Sequence, residues 1–144
     1  MRIIDFRLFL QKGTVFDFSL NTSEADIVAL LGNPDEIEKY GKNGKYLHFE
    51  NIRLYIYKNY FNGVTIFFYL ENFSIKESLE GVVLCVNQDT LLIDMLNILN
   101  KFSIKWDISY KNSALDYCVI MTSSGISIYY NYENGKLIKM SRNF

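Results

Sequence analysis

Two stretches of the chain carry apolar residues at the three- and four-residue spacing that is typical of an amphipathic helix. The first covers 23–31, follows cap-forming residues at 21–23, and ends at Gly-Asn-Pro in 32–34. The second covers 89–101, where Asn87 or Asp89 can cap the helix. The apolar stripe of the second helix consists of Leu92, Met95, Leu96 and Leu99.

Shorter stretches of alternating apolar and polar residues follow each helix and predict antiparallel strands. Asn-Gly pairs at 43–44, 62–63 and 134–135 are typical of hairpin turns between such strands. The N-terminal run at 1–10 also alternates, and we expect it to be a strand. The other predicted strands cover 36–41, 45–50, 52–58 and 64–70 after the first helix, and 104–110, 115–122, 126–131 and 136–141 after the second.

One sequence pattern occurs twice at a fixed separation. Residues 51–63 read NIRLYIYKNYFNG, and residues 123–135 read SSGISIYYNYENG. With an offset of 72, Ile56 aligns with Ile128, and the Asn, Tyr, Asn and Gly positions that follow align as well. The ungapped match predicts an internal repeat.

The repeat extends upstream and sets the predicted fold class. FDFSLN at 16–21 resembles VVLCVN at 82–87, and each segment is predicted to be a strand that leads into a helix. We therefore expect an α+β fold of two similar repeats, at 14–72 and 81–142, each a helix packed on an antiparallel meander. Neither repeat is long enough to bury its own core well, so a single domain over 1–144 is expected, with one continuous sheet as the further expectation.

Composition and charge exclude several function classes. Fifteen Lys and Arg oppose sixteen Asp and Glu, for a net charge of -1, so nucleic-acid binding is not expected. No apolar run reaches transmembrane length, and the N-terminus has no small-residue cleavage site. A cytoplasmic protein without a membrane partner is predicted.

The two cysteines, Cys85 and Cys118, lie in apolar runs without a CxxC motif or a flanking histidine. This context favours two buried free thiols in a reducing compartment, with no disulfide, no metal and no other cofactor.

No residue set has the spacing of a catalytic motif. His48 is the only histidine, and Glu50 lies on its side of a strand, but such side chains are about 7 Å apart and too far for a direct hydrogen bond. The Ser-Ser-Gly at 123–125 lacks the Gly-x-Ser-x-Gly elbow of a serine nucleophile. We expect a protein that is not an enzyme.

Aromatic side chains collect on one face of the predicted sheet. In the strand at 52–58, Leu54 and Ile56 point one way and Tyr55 and Tyr57 the other. The helices should cover the aliphatic side, which leaves a face with the composition of a binding hot spot. A second layer or a dimer mate that buries this face is the competing interpretation. The predicted partner-binding residues are Tyr46, His48, Arg53, Tyr55, Tyr57, Phe67, Tyr69, Tyr117 and Tyr129.

The stretch at 22–40 reads TSEADIVALLGNPDEIEKY and is followed by YLHFENIRLYIYK and GVTIFF. It resembles small bacterial α/β proteins in which a helix ends in Leu-Leu-Gly-x-Pro-Asp and a four-strand meander follows. The β-lactamase inhibitor protein and small lipoproteins of outer-membrane assembly share this plan, and the chain also resembles proteins of bacterial toxin–immunity loci. The residues that carry the match are Leu30, Leu31, Gly32, Pro34 and Asp35.

The resemblance implies a protein-binding module, an inhibitor or immunity protein that neutralises a cognate toxin, and it supplies no catalytic residue. Together with the aromatic face, it predicts another protein as the partner, with a homodimer as an alternative. A carrier that holds a small apolar ligand between a helix and a curved sheet is the second hypothesis.

Overall fold

Three helices and ten strands form an α+β fold in the computed structural model, which describes residues 4–69, 73–79 and 81–144. The helices are α1 (Phe6–Lys12), α2 (Glu24–Leu31) and α3 (Leu92–Lys101). The strands are β1 (Glu36–Tyr40), β2 (Gly44–Phe49), β3 (Ile52–Tyr57), β4 (Tyr60–Phe67), β5 (Ser74–Leu79), β6 (Val82–Asn87), β7 (Trp106–Ile108), β8 (Tyr117–Thr122), β9 (Ser127–Asn131) and β10 (Leu137–Asn143). In the described part of the chain, no helix combines the length and apolar character that crossing a membrane requires.

Eight of these strands form one antiparallel sheet with the order β1-β2-β3-β4-β10-β9-β8-β7. Consecutive strands pair within β1–β4 and within β7–β10, and the pairing of β4 with β10 joins these two meanders. At the junction, Ile66 lies opposite Met140 and Thr65 opposite Ser141. β5 and β6 form a separate two-stranded hairpin. The predicted α+β class with an antiparallel sheet is confirmed.

The core lies between one face of the sheet and the helices. Ile27 of α2 and both Met95 and Leu99 of α3 are fully buried in one apolar cluster with sheet residues such as Leu54 and Ile66. Burial of such side chains stabilises the fold by roughly 1.5–3 kcal/mol each. The alternation along β3, with every second residue buried, follows from this one-sided cover.

Helix α2 begins and ends where the sequence predicts. The Ser23 side chain accepts a hydrogen bond from the Asp26 backbone N–H, and the Asp26 carboxylate accepts one from the Ser23 backbone N–H, which forms a capping box. Gly32 ends the helix at φ 84°, a conformation that favours glycine.

Helix α3 begins later than the sequence predicts, and the predicted caps are wrong. Asn87 and Thr90 close a turn in which the Asn87 N–H donates to Thr90 Oγ1 at 3.0 Å. The Asn87 side chain accepts from the Asp89 N–H at 2.8 Å. Asn87 and Asp89 therefore form hydrogen bonds within a turn that precedes the helix. Leu91 occupies the N-cap position, and its side chain forms no capping hydrogen bond.

The N-terminal segment is a helix, so the predicted strand at 1–10 is wrong where the structure describes it. The Asp5 carboxylate accepts a hydrogen bond from the Leu8 N–H and caps α1. Phe6, Phe9 and Leu10 are fully buried, and their spacing of three and four residues places them on one helix face. The same apolar residues also fit an alternating pattern, which is why the sequence favoured a strand. Residues 1–3 of the predicted strand lie outside the described residues.

The segment at 16–21 is also not a strand, because Phe16 and Asp17 adopt left-handed conformations with φ 52° and 59°. Its sequence counterpart at 82–87 is β6. The predicted strand before α2 is therefore wrong.

The two hairpins that the 72-residue offset aligns differ in register. Lys58 and Asn59, at φ 50° and 69°, form the turn between β3 and β4, so the predicted turn at 62–63 is wrong and lies inside β4. Ile56 pairs with Phe61, whereas Ile128 pairs with Met140. Aligned residues thus occupy different positions in their hairpins.

The structure places the two free cysteines differently. Cys118 is buried as predicted, but Cys85 is exposed, so that part of the prediction is wrong. The β5–β6 hairpin packs only one of its faces on the core through Ile75 and Val86, which are 7% and 0% exposed. Cys85 precedes Val86 in the strand and therefore points away from the core.

Thiol labelling of the native protein should modify Cys85 quickly and Cys118 only after unfolding, because Cys118 is 6% exposed. Mass spectrometry of peptides after a short iodoacetamide pulse measures both rates. Rapid native labelling of Cys118 would contradict the described packing of β8.

Ile66→Ala should lower the free energy of unfolding by about 2–5 kcal/mol, because Ile66 is fully buried where β4 meets β10. Urea unfolding followed by circular dichroism measures the loss. Thr65→Val is the matched control: it changes the neighbouring, half-buried position on the opposite face and should shift stability by less than about 0.5 kcal/mol. Equal losses in the two variants would contradict one-sided burial of the sheet.

Candidate functional site

The face of the eight-stranded sheet opposite the helices, here called the open face, carries a row of directly opposed residues that crosses all eight strands. Their side chains are half-buried or exposed, in contrast to their buried neighbours on the other face. Pairing in register aligns residues that are distant in sequence. The row consists of Glu36, His48, Arg53, Thr65, Ser141, Ser127, Met121 and Asp107.

The predicted partner-binding residues of the first meander lie on this open face. Tyr46 is directly opposite Tyr55, and His48 is directly opposite Arg53. Tyr57 ends β3 on the same side and is 41% exposed.

The remaining predicted residues extend the face across the β4–β10 junction. Phe67 lies opposite Lys139, which in turn lies opposite Tyr129. The Tyr129 ring is 5.6 Å from that of Tyr117, and the Phe67 ring is 5.4 Å from that of Tyr69. The structure thus brings all nine predicted residues to one face.

Tyr40 was missed by the sequence prediction and completes an aromatic cluster with Tyr46 and Tyr55. The ring centroids are 5.5 Å apart for Tyr40 and Tyr46, and 5.2 Å apart for Tyr46 and Tyr55. Gly44 leaves room for this cluster, since a Cβ there would lie 3.0 Å from the Tyr55 hydroxyl oxygen. Alternation along β1, which places Tyr40 on the side of Glu38, was the signal that could have found it.

The Arg53 guanidinium lies between two rings at the centre of the face. Its central carbon is 4.5 Å from the Tyr46 ring centroid and 5.0 Å from the Phe67 ring centroid, within cation–π range. The Arg53 Nε is buried and has no hydrogen-bond partner. An unpaired buried donor costs about 1–3 kcal/mol, so this arrangement opposes stability of the isolated chain.

Lys139 is a second cation at the centre of the face. Its Nζ is 4.6 Å from the Tyr129 ring centroid. Partial burial lowers the pKa of Lys139 from its ordinary value of 10.5, and the charge of Arg53 lowers it further. Among the described residues, ion pairs join Lys45 with Glu24, His48 with Glu38 and Lys136 with Asp89, and none involves Arg53 or Lys139.

His48 interacts with an acid other than the one considered from the sequence. Its Nε2 is 3.3 Å from Glu38 Oε2 on the neighbouring strand β1. Glu50 instead occupies the turn after β2 at φ 52°, and its N–H donates to the Asp35 carboxylate at 2.7 Å. The acid that contacts His48 is therefore Glu38 on the paired strand β1, and not Glu50, which is two residues away in the chain.

Near β8, the segment after β7 continues along the edge of the sheet. The Ser109 N–H donates to the Val119 carbonyl at 2.8 Å, and the Val119 N–H donates to Ser113 Oγ at 3.0 Å. Val119 is fully buried although it lies opposite Tyr129 on the open face.

Within 4–69, 73–79 and 81–144, no group of three or more His, Cys, Asp or Glu residues could hold a metal ion. The chain matches no family model in a scan of protein families, no curated protein and no solved structure. The resemblance to inhibitor and immunity proteins therefore stays a prediction, and the site must be interpreted from its own geometry.

Tyr55 should ionise above pH 10, because partial burial raises its pKa above 10.0 and neighbouring tyrosines, Tyr46 first, raise it further. Since the folded state favours the neutral phenol, the contribution of Tyr55 to stability is present below pH 10 and is lost as the pH rises through its folded-state pKa. The difference between alkaline absorbance titrations of the wild type and Tyr55→Phe isolates this phenol. A difference curve centred below pH 10 would contradict the cluster geometry.

Proposed function

We propose that this chain is a non-enzymatic protein-binding module that docks another protein on its open face. The observation that carries the proposal is the band of aromatic side chains across the sheet, on the side that the helices leave uncovered. Tyr69 is 59% exposed and Tyr57 is 41% exposed, while Tyr46, Tyr55 and Tyr129 are half-buried. Soluble proteins seldom expose a large apolar patch without an interaction partner.

The geometry of the band supports tight docking. Rings that already contact one another, such as Tyr46 with Tyr55 and Tyr117 with Tyr129, lose little conformational freedom when a partner covers them. Hot spots in protein interfaces are enriched in tyrosine and arginine at the centre of the contact. Arg53 between two rings has this composition and position.

We extend the proposal to an immunity protein that neutralises a cognate bacterial toxin by covering it. The resemblance of the 22–40 segment to inhibitor and immunity proteins supports this extension. An aromatic face that crosses several strands suits steric blockade of another folded protein, since it provides a large contact area.

We also propose that the domain is built from two repeats, at 14–72 and 81–142. Support comes from the element order, in which α2 precedes the meander β1–β4 and α3 precedes the meander β7–β10. The different hairpin registers mean that such repeats have diverged in detail. Their divergence would give the two halves of the open face different side chains.

The alternative function, an apolar ligand held between helix and sheet, gains no support from the core. Ile27, Met95 and Leu99 on the helices are fully buried in one cluster with the sheet residues. A ligand at this place would have to displace packed side chains, at a cost comparable to overpacking a core.

A benzoylphenylalanine photo-cross-linker at position 57 should capture the partner in cells, and the same group at position 110 should not. Both wild-type residues are exposed tyrosines, but Tyr57 lies on the open face and Tyr110 in the 109–116 loop region. Mass spectrometry identifies the captured protein. Toxicity of that protein when expressed alone, relieved by co-expression of this chain, would support the immunity role.

Tyr55→Ala and Tyr57→Ala should each weaken binding of the captured partner by about 2 kcal/mol, because a few aromatic residues carry most of the energy of a protein interface. Tyr110→Ala, an 86% exposed tyrosine, is the control and should bind as the wild type does. Isothermal titration calorimetry measures all three. Unchanged affinity in folded Tyr55→Ala and Tyr57→Ala variants would place the binding site elsewhere.

A further inference from the structure

We propose that the partner presents a carboxylate, from an aspartate or glutamate in an acidic segment, to Arg53 and Lys139 at the centre of the open face. This inference rests on the proposed function, because it names the chemistry of the contact at that same face. The expected ligand of Arg53 and Lys139 is therefore an acidic segment of a protein.

The first support is an imbalance of charge at the centre of the face. Arg53 and Lys139 form no ion pair with any carboxylate in the part of the chain that the structure describes. Glu36 lies two strands from Arg53 in the same row, a backbone separation of about 10 Å. Asp107 lies three strands from Lys139, at about 14 Å. Glu38 is on the same face, but its carboxylate pairs with His48. In the described part of the chain, the two positive charges therefore lie together without a carboxylate at ion-pair distance.

The second support is the way in which Arg53 is held. Tyr46 and Phe67 contact the guanidinium and restrict its orientation, and the Nε is buried, so the two terminal Nη groups are the donors left for a carboxylate from outside. A planar guanidinium binds a carboxylate through two parallel hydrogen bonds, which adds geometric specificity to the charge attraction. The surrounding rings reduce the access of water, so the pairing is stronger there than at an open surface.

The third support is Lys139, which the isolated chain leaves in an unfavourable environment. Partial burial lowers the pKa of its ammonium, and the charge of Arg53 lowers it further. A carboxylate between the two cations would relieve both effects. Phe67 lies opposite Lys139 and contacts Arg53, so an acid above this ring would be within reach of both cations.

The distribution of acids on the face favours a compact carboxylate over a nucleic acid. Glu36 and Glu38 occupy the β1 end of the open face and Asp107 the β7 end. A polyanion laid across the sheet would meet these acids, and the net charge of the chain is -1. A short acidic segment meets only the central cations.

A pair of capped hexapeptides tests the inference without the natural partner. Acetyl-Ala-Leu-Glu-Glu-Leu-Ala-amide should bind at least tenfold more tightly than the same peptide with Gln in place of Glu, because only the carboxylates pair with the cations. Nitrogen–proton NMR of the labelled protein measures both affinities and reports on the Arg53 Nε–H group directly.

Arg53→Met and Lys139→Met should each remove the preference for the Glu peptide, since methionine keeps an apolar stem without the charge. Lys76→Met is the matched control: this lysine is exposed on the β5–β6 hairpin, outside the open face, and the preference should be unchanged. Thermal unfolding verifies that each variant is folded, and the half-buried Lys139 provides a test even if Arg53→Met is unstable.

Three outcomes would overturn the inference. The Glu and Gln peptides could bind equally, which would show that charge plays no part. A ten-nucleotide oligothymidine could bind more tightly than the Glu peptide and depend on the same two cations, which would indicate a nucleic-acid site. Light scattering could show a dimer, twice the mass of 16.9 kDa, that Arg53→Met and Lys139→Met dissociate, which would assign the cations to a second copy of this chain.

The captured partner separates this inference from the proposed function. If Tyr55→Ala weakens partner binding while Arg53→Met and Lys139→Met do not, the open face binds the partner and the carboxylate contact is wrong. If none of the three variants weakens binding, the proposed function itself fails. If all three weaken binding and the Glu peptide competes with the partner, both proposals hold.

Discussion

The architecture depends on one strand pairing, that of β4 with β10. These strands are separated by 69 intervening residues, from Phe67 to Leu137, and bring two locally formed meanders into one sheet. Hairpin pairings within each meander close short loops, whereas this junction closes a long one, at a greater cost in chain entropy. Buried side chains on both sides of the junction, Ile66 and Met140 among them, offset that cost.

The junction also determines what the open face contains. Pairing in register places Lys139 between Phe67 on β4 and Tyr129 on β9, and it carries the central row from one meander into the other. A slip of one residue would exchange the faces of the strand and bury Lys139 in the core. Core packing thus determines which side chains lie on the open face, because the register that buries Met140 also places Lys139 and Ser141 on the opposite face.

Aromatic rings on the open face stabilise the two cations that have no ion-pair partner among the described residues. The rings of Tyr46, Phe67 and Tyr129 hold Arg53 and Lys139 through cation–π contacts, so that two like charges remain close together in the isolated chain. This arrangement sacrifices some stability, as the unpaired Arg53 Nε shows. Local arrangements that cost stability in the free protein are expected at functional or strained sites, and the proposed carboxylate contact would account for this one.

The sequence by itself determined the features that arise from local interactions. The cap-forming residues at 21–23 predicted the start of α2, which Ser23 caps in the structure, and the alternation in β3 identified the face on which Tyr55 and Tyr57 lie. Both signals involve residues within four positions of one another, where backbone geometry alone relates the side chains.

Only the tertiary structure decided the features that depend on distant residues. Cys85 lies in an apolar run, but its exposure follows from the way in which the β5–β6 hairpin packs. Tyr40 joined the aromatic cluster through the pairing of β1 with β2, and Arg53 met Phe67 only because β3 and β4 pair in register. The physical reason is that burial and charge balance are sums over all neighbours, and most neighbours in a sheet come from other strands.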